Sequence, residues 1–239
     1  MAPDPEFELD EVLSGGATPS AMARLAATLG QSAKAAGAGA VASGRWLAEW
    51  AVDNAPRIPI RDHDSLVAQH EGRDGGALAD ELIRKASRAS AAVGAATGAV
   101  MSAEELLPPA WISLPIELVV ETLAVASIEM KLVGELHEAF GHPVPGSPGQ
   151  RGTSLVRAWA ERRGVTAATI ASTAGLTEVF GQGTRKEIVR IVRRRLLRRM
   201  GRNLATAGPF LAGAAAGAEV NRRATRSLGE ALVRDLAPS

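Results

Sequence analysis

The stretch 116-IELVVETLAVASIEMKLVGELHEAF-140 constrains this chain more than any other. It is long and mainly apolar, has no internal proline, and is punctuated at both ends. Pro115 suits the first position of a helix, where its missing N–H removes no bond. At the far end Gly141 fits the position just past a helix, where left-handed backbone is needed. Pro143 disfavours helical torsions at His142. One continuous helix is therefore expected over 116–140. No run of alternating apolar and polar residues is regular enough to argue for a strand. The expected fold class is all-α, a multi-helix bundle of tightly packed Ala/Gly-rich helices with one long cationic amphipathic helix.

The chain has 239 residues, enough for one large or two small domains. Apolar residues make up 46% and aromatics only 3%, with no Tyr, so the core must be built from Ala, Leu, Val and Ile. Zero cysteines exclude disulfides and thiolate metal sites. Residues 1–17 read as a disordered acidic tail. Residues 18–76 read as an N-terminal helical segment and 77–239 as the helical body, with 72-GRDGG-76 as the break between them. Within the first part, Thr18-Pro19 opens a helix to about Leu29, and a second helix runs through 45–54. There Trp46 and Trp50 share a face as packing anchors. The stretch 55–63 is expected to be extended. The body is expected to hold helices over 77 to about 100 and roughly 210–236, and Ser102-x-x-Glu105 has capping-box spacing for a short helix. Ser90, Gly94 and Gly98 recur every four residues, as do Gly213 and Gly217. Such stripes let another helix backbone approach closely.

The tail of the long helix raises a question of chemistry, because His137-Glu138 and His142 resemble a zinc-binding H-E-x-x-H. Residues four apart converge on one ion, whereas a spacing of five turns the second histidine about 140° away. With the helix stopping at Gly141, His137 falls in the last turn, where its partial positive charge suits the helix dipole. His63 and His70 are seven apart, too far to share an ion without distortion. Asp62 and Asp64 around His63 read as a polar helix start. Gly181-Gln182-Gly183 lacks both the preceding strand and the third glycine of a dinucleotide loop. Glu117 and Glu121 lie one turn apart, with Glu135 near the same azimuth. Paired carboxylates can do acid–base work, but an acidic stripe, solvated or facing arginines, is the simpler reading. Glu117, Glu121, His137 and Glu138 therefore stand only as the alternative acid/base or metal set. No catalytic residue, metal or cofactor is expected.

Formal net charge is only +1, yet charge is unevenly placed. Residues 185–202 hold nine Arg or Lys and one acid, and Thr184-x-x-Glu187 is a capping box that opens a helix there. At 100° per residue Val189, Val192, Leu196 and Met200 form a narrow apolar stripe. Arg190, Arg194, Arg195, Arg198 and Arg202 cover the opposite side. Three uses compete: a solvated or paired structural face, an anionic membrane surface, and nucleic acid. The last ranks lowest because aromatics for base stacking are missing. The N-terminus has no basic region followed by an apolar one, so no signal peptide is expected and the cytoplasm is the default address. The uncharged stretch 203-NLATAGPFLAGAAAGA-218 is mostly Ala and Gly and suits an interior helix better than a membrane span.

Three segments carry a resemblance to a known family: 79-ADELIRKASRASAAVGAATG-98, 106-LLPPAWISLPIELVVETLAVASIEMKLVGELHEAFGHPV-144 and 208-GPFLAGAAAGAEVNRRATRSLGEALVRDL-236. Over about residues 77–236 the chain resembles the bacterial EcsC family, with Phe140 where that pattern favours Tyr. The resemblance implies an α-helical, apolar, membrane-associated protein, named for a gene beside an ABC transporter, and supplies no catalytic residues. The resulting expectation is a non-enzymatic protein, peripheral on the inner membrane face or lipid-binding. Arg190, Arg194, Arg195 and Arg198 would contact anionic groups. A Glu/His hydrolase or metalloenzyme and a protein-interaction module are the alternatives.

Overall fold

The computed structural model describes residues 19–37, 39–40, 45–104, 116–162, 189–190, 192–194, 196 and 212–237. These form seven numbered helices: α1 (Pro19–Ala36), α2 (Arg45–Asn54), α3 (His63–Gln69), α4 (Gly75–Glu104), α5 (Ile116–Ala139), α6 (Pro148–Arg162) and α7 (Ala212–Leu236). A 3₁₀ turn (Ala55–Arg57) joins α2 to the extended segment before α3. Among the described residues no strand occurs, so the protein is an all-α bundle. The expected tail, Glu105 and the 184–187 capping box lie outside the described residues.

Helix α5 is the centre of the bundle and touches each of the other six. A helix that is apolar on all sides must be buried on all sides, and residues 119–136 are buried except for the half-buried Lys131. Its end is a double-bonded glycine cap. Gly141 has φ of 70°. Its N–H donates to the Glu138 carbonyl at 3.0 Å, and the His142 N–H donates to the His137 carbonyl at 2.8 Å. The stop predicted at Gly141 is therefore present.

Helices α4 and α7 pack beside α5 with their small-residue stripes together. A Cβ added to Gly94 would sit 2.9 Å from the Gly217 backbone and 2.8 Å from Asn221 Nδ2. Bonds at successive levels set the directions. Asn221 lies against Gly94 and reaches Glu121, while Thr225 lies between Ser90 and Glu129. Numbers rise together on α5 and α7 and fall on α4, so α5 and α7 run parallel and α4 runs against both.

Several boundaries differ from expectation. Helix α1 continues through Gly30 to Ala36 because Ser32, beyond the glycine, accepts the Trp46 indole N–H at 3.1 Å. Trp46 and Trp50 are buried anchors. Helix α4 starts at Gly75 and runs through Ser102 to Glu104, so Ser102 lies inside it and does not cap a separate short helix. Helix α6 was not anticipated. Its signal was present as Ser147-x-x-Gln150, where Gln150 Oε1 accepts the Ser147 N–H at 2.9 Å. Gly152, Leu155, Val156 and Trp159 then form its buried face at helical spacing. The expected break at 72–76 is only a short turn that ends where α4 begins at Gly75, and Leu25, Trp46 and Leu66 before it share one core with Leu78 and Leu136 after it.

The turn between α3 and α4 carries a titratable link. Asp62 caps α3 by accepting the Ser65 N–H at 2.8 Å. Asp74, at the head of α4, accepts from the Gly75 N–H at 2.6 Å and sits 2.9 Å from His63 Nε2. The Asp74 carboxylate, then Asp64, raise the His63 pKa above its usual 6.5. The imidazolium is the favoured form, so the link is complete below the unfolded value and is lost as pH rises through the folded value. A His63 NMR titration should show a midpoint above 6.5 that moves back down in Asp74→Asn. An identical midpoint in both proteins would refute the link.

Candidate functional site

The acid and histidine candidates are not gathered at one place. Glu121 is buried and accepts from the Asn221 amide at 2.6 Å. His137 and Glu138 lie about 24 Å further along the same helix at 1.5 Å per residue. The His137 Nδ1–H donates to the Val133 carbonyl at 2.7 Å, which ties one ring nitrogen to its own helix. Glu138 lines a small cavity of about 270 Å³ with Arg151. The side chain of Glu117 lies outside the described residues. His63 and His70 likewise part company, one toward Asp74 and the other toward Lys85. Among the described residues no three His, Cys, Asp or Glu side chains are grouped to hold a metal ion.

Glu121 and Glu135, expected on one acidic stripe, meet different elements along α5. Glu121 faces α7, whereas Glu135 faces the extended segment before α3. There Arg61 grips Glu135 through two bonds, Nε–H at 2.7 Å and Nη2–H at 2.9 Å. Lys131 Nζ adds a third contact to Glu135 at 2.7 Å. Sequence reasoning passed over Glu129, which is fully buried. Glu129 accepts the Trp159 indole N–H from α6 at 2.8 Å, and the Thr225 hydroxyl lies 3.1 Å from its other oxygen. Thr225 is also 2.9 Å from the Ser90 hydroxyl. A Glu flanked by apolar residues in the middle of 126-ASIEMKL-132 was the available signal, because a buried carboxylate must find donors.

A cleft of about 760 Å³ opens between α4, α5 and the segment before α3. This is within the usual range for a small-molecule site. Leu82, Ala86, Ala89, Ala92, Ile128 and Leu132 form its apolar wall. Arg61, Lys85, Arg88 and Lys131 supply four cations against the single acid Glu135, a lining charge of 4 − 1 = +3. Lys85 Nζ lies 3.3 Å from Nδ1 of buried His70. Burial first, then the nearby Lys85 and Arg61 charges, hold the His70 pKa below its usual value. His70 therefore stays neutral and adds no charge at neutral pH.

The basic segment is described only in part, and there it divides cleanly. Val189, Val192 and Leu196 are buried, the last two fully. Arg190, Arg193 and Arg194 are exposed. Arg193 is thus a further basic surface residue beside the two expected ones, while Arg195 and Arg198 lie outside the described residues. Among the described residues no helix is long and apolar enough to cross a membrane. Compared with family models, curated proteins and solved structures, the chain matches none.

Proposed function

We propose that this is a non-enzymatic, lipid-binding helical protein of the EcsC type that adsorbs peripherally to an anionic membrane face, as an accessory to a transport system. Arg190, Arg194, Arg195 and Arg198 contact the anionic groups, joined by Arg193. The observation that supports this reading is the division among the described residues of 189–196: Val189, Val192 and Leu196 are buried in the protein while Arg190, Arg193 and Arg194 are exposed. An apolar stripe already used in the core is not available to insert between acyl chains. Adsorption is then electrostatic, at about 1 kcal/mol for each basic residue near the surface, and it weakens as salt shortens the Debye length.

Flotation with anionic and with neutral liposomes tests this. The protein should float with the anionic vesicles at low salt, stay behind with neutral ones, and lose binding at about 0.5 M salt, where screening is nearly complete. Arg193→Glu with Arg194→Glu should abolish flotation without lowering helix content. Absence from both lipid fractions at low salt would sink the proposal, as would equal, salt-insensitive binding to both.

A further inference from the structure

The cleft between α4 and α5 is suited to a single amphiphile. Its two halves differ along the helix axis. Ser90 and Glu129 lie at one level, since both approach Thr225. From that level α4 and α5 run in opposite directions at 1.5 Å per residue. Glu135 therefore lies level with the turn of α4 that carries Lys85, and Lys131 is close to the level of Arg88. Ile128 lies level with Ala89 and Ala92. The cations lie between the levels of Leu82 and Ala89, with Ala86 and Leu132 among them, and Ala89, Ala92 and Ile128 carry the apolar wall beyond the last cation.

The cations are only partly compensated. Glu135 serves both Arg61 and Lys131. Glu81, the acid nearest Lys85 at 3.8 Å, is also engaged by Arg84 and Arg73. Arg88 is exposed and lines the cleft with no carboxylate partner among the described residues. The neutral, buried His70 keeps the Lys85 ammonium at the rim. A ligand that matches both ends carries a compact anion and an alkyl chain. An uncharged lipid leaves the cations unmatched, and a small polar anion leaves the apolar wall wet.

We propose that this cleft binds one anionic amphiphile, an alkyl chain ending in a phosphate or carboxylate. The anion lies against Lys85, Arg88 and the Arg61 side, and the chain along Ala86, Ala89, Ala92 and Ile128. The inference extends the lipid reading above to a second, separate place on the molecule, and the two can fail independently.

Dodecyl phosphate below its micelle concentration is titrated into the full chain by calorimetry, with inorganic phosphate and dodecanol as the other arms. Saturable binding of one dodecyl phosphate per chain is expected. Inorganic phosphate and dodecanol should each bind at least tenfold more weakly. Arg88→Glu, at an exposed position, and Ala89→Leu, which fills the apolar wall, should each weaken dodecyl phosphate at least tenfold, while Arg193→Glu with Arg194→Glu should leave it unchanged. The proposal is overturned by no saturable binding, by phosphate alone binding as well as the amphiphile, or by affinity unaffected in both cleft variants. It is also overturned if the Arg193/Arg194 variant loses dodecyl phosphate along with liposomes, because a single surface site would then explain both.

Discussion

Gly94→Ala is expected to lower the thermal midpoint by roughly 6–12 °C, while Gly217→Ala, on the facing helix, should raise it slightly. At Gly94 an added Cβ meets the Gly217 carbonyl carbon and oxygen at 2.9 Å and Asn221 Nδ2 at 2.8 Å. Two of these atoms are backbone, so relief requires α4 and α7 to part. Overpacking a core costs about 1–3 kcal/mol, and the upper end applies because the same shift disturbs the Asn221–Glu121 bond. About 3 kcal/mol corresponds to that midpoint change for a chain of this size. At Gly217 the nearest atom to an added Cβ is the Gly94 carbonyl oxygen at 3.8 Å, an ordinary contact. There the substitution gains the roughly 0.5–1 kcal/mol by which Ala exceeds Gly within a helix. Melts followed by circular dichroism at 222 nm decide it. A Gly217→Ala midpoint that falls as far as that of Gly94→Ala would refute this account of the α4–α7 contact.

Glu129→Ala should be comparably damaging, by about 3 kcal/mol. It removes the acceptor of the buried Trp159 indole N–H and one partner of the Thr225 hydroxyl. A buried donor left without an acceptor costs about 1–3 kcal/mol, and the lost side chain leaves a cavity. Release of a buried carboxylate offsets part of this. The sharper experiment pairs two changes. With Trp159→Phe in the background, Glu129→Leu has no indole to orphan, and Thr225 still has Ser90 at 2.9 Å. Replacing both partners by apolar groups should recover more than half of the loss. Strict additivity in denaturant unfolding would show that Glu129 and Trp159 do not act as a bonded pair.

Much of the architecture was readable because helix ends are local events. The Gly141 cap closed α5, Asp62 capped α3, and the Trp46/Trp50 pair pointed inward. The errors also have local physical causes. The helix expected to end near Leu29 runs on to Ala36, since the one glycine there costs only about 1 kcal/mol and the Trp46–Ser32 bond lies beyond it. Ser102 had the form of a cap, but four-residue spacing alone does not prevent a longer helix from running through it. Helix α6 was missed although Ser147, Gln150 and the Leu155–Trp159 face carried its signal.

By itself the chain determined its class, its bundle of helices, the stripe of small residues on α4 and the existence of a basic amphipathic turn. These depend on backbone propensity and on side chains a few residues apart, which the sequence order already brings together. Only the tertiary structure decided which stripe met which, that Glu121, Glu129 and Glu135 turn to three different partners, and that Arg61, Lys85, Arg88 and Lys131 surround one cleft. Those pairings join residues such as Arg61 and Glu135, 74 apart. Their geometry is set by helix directions and close backbone approach, and no periodicity within a single segment encodes either.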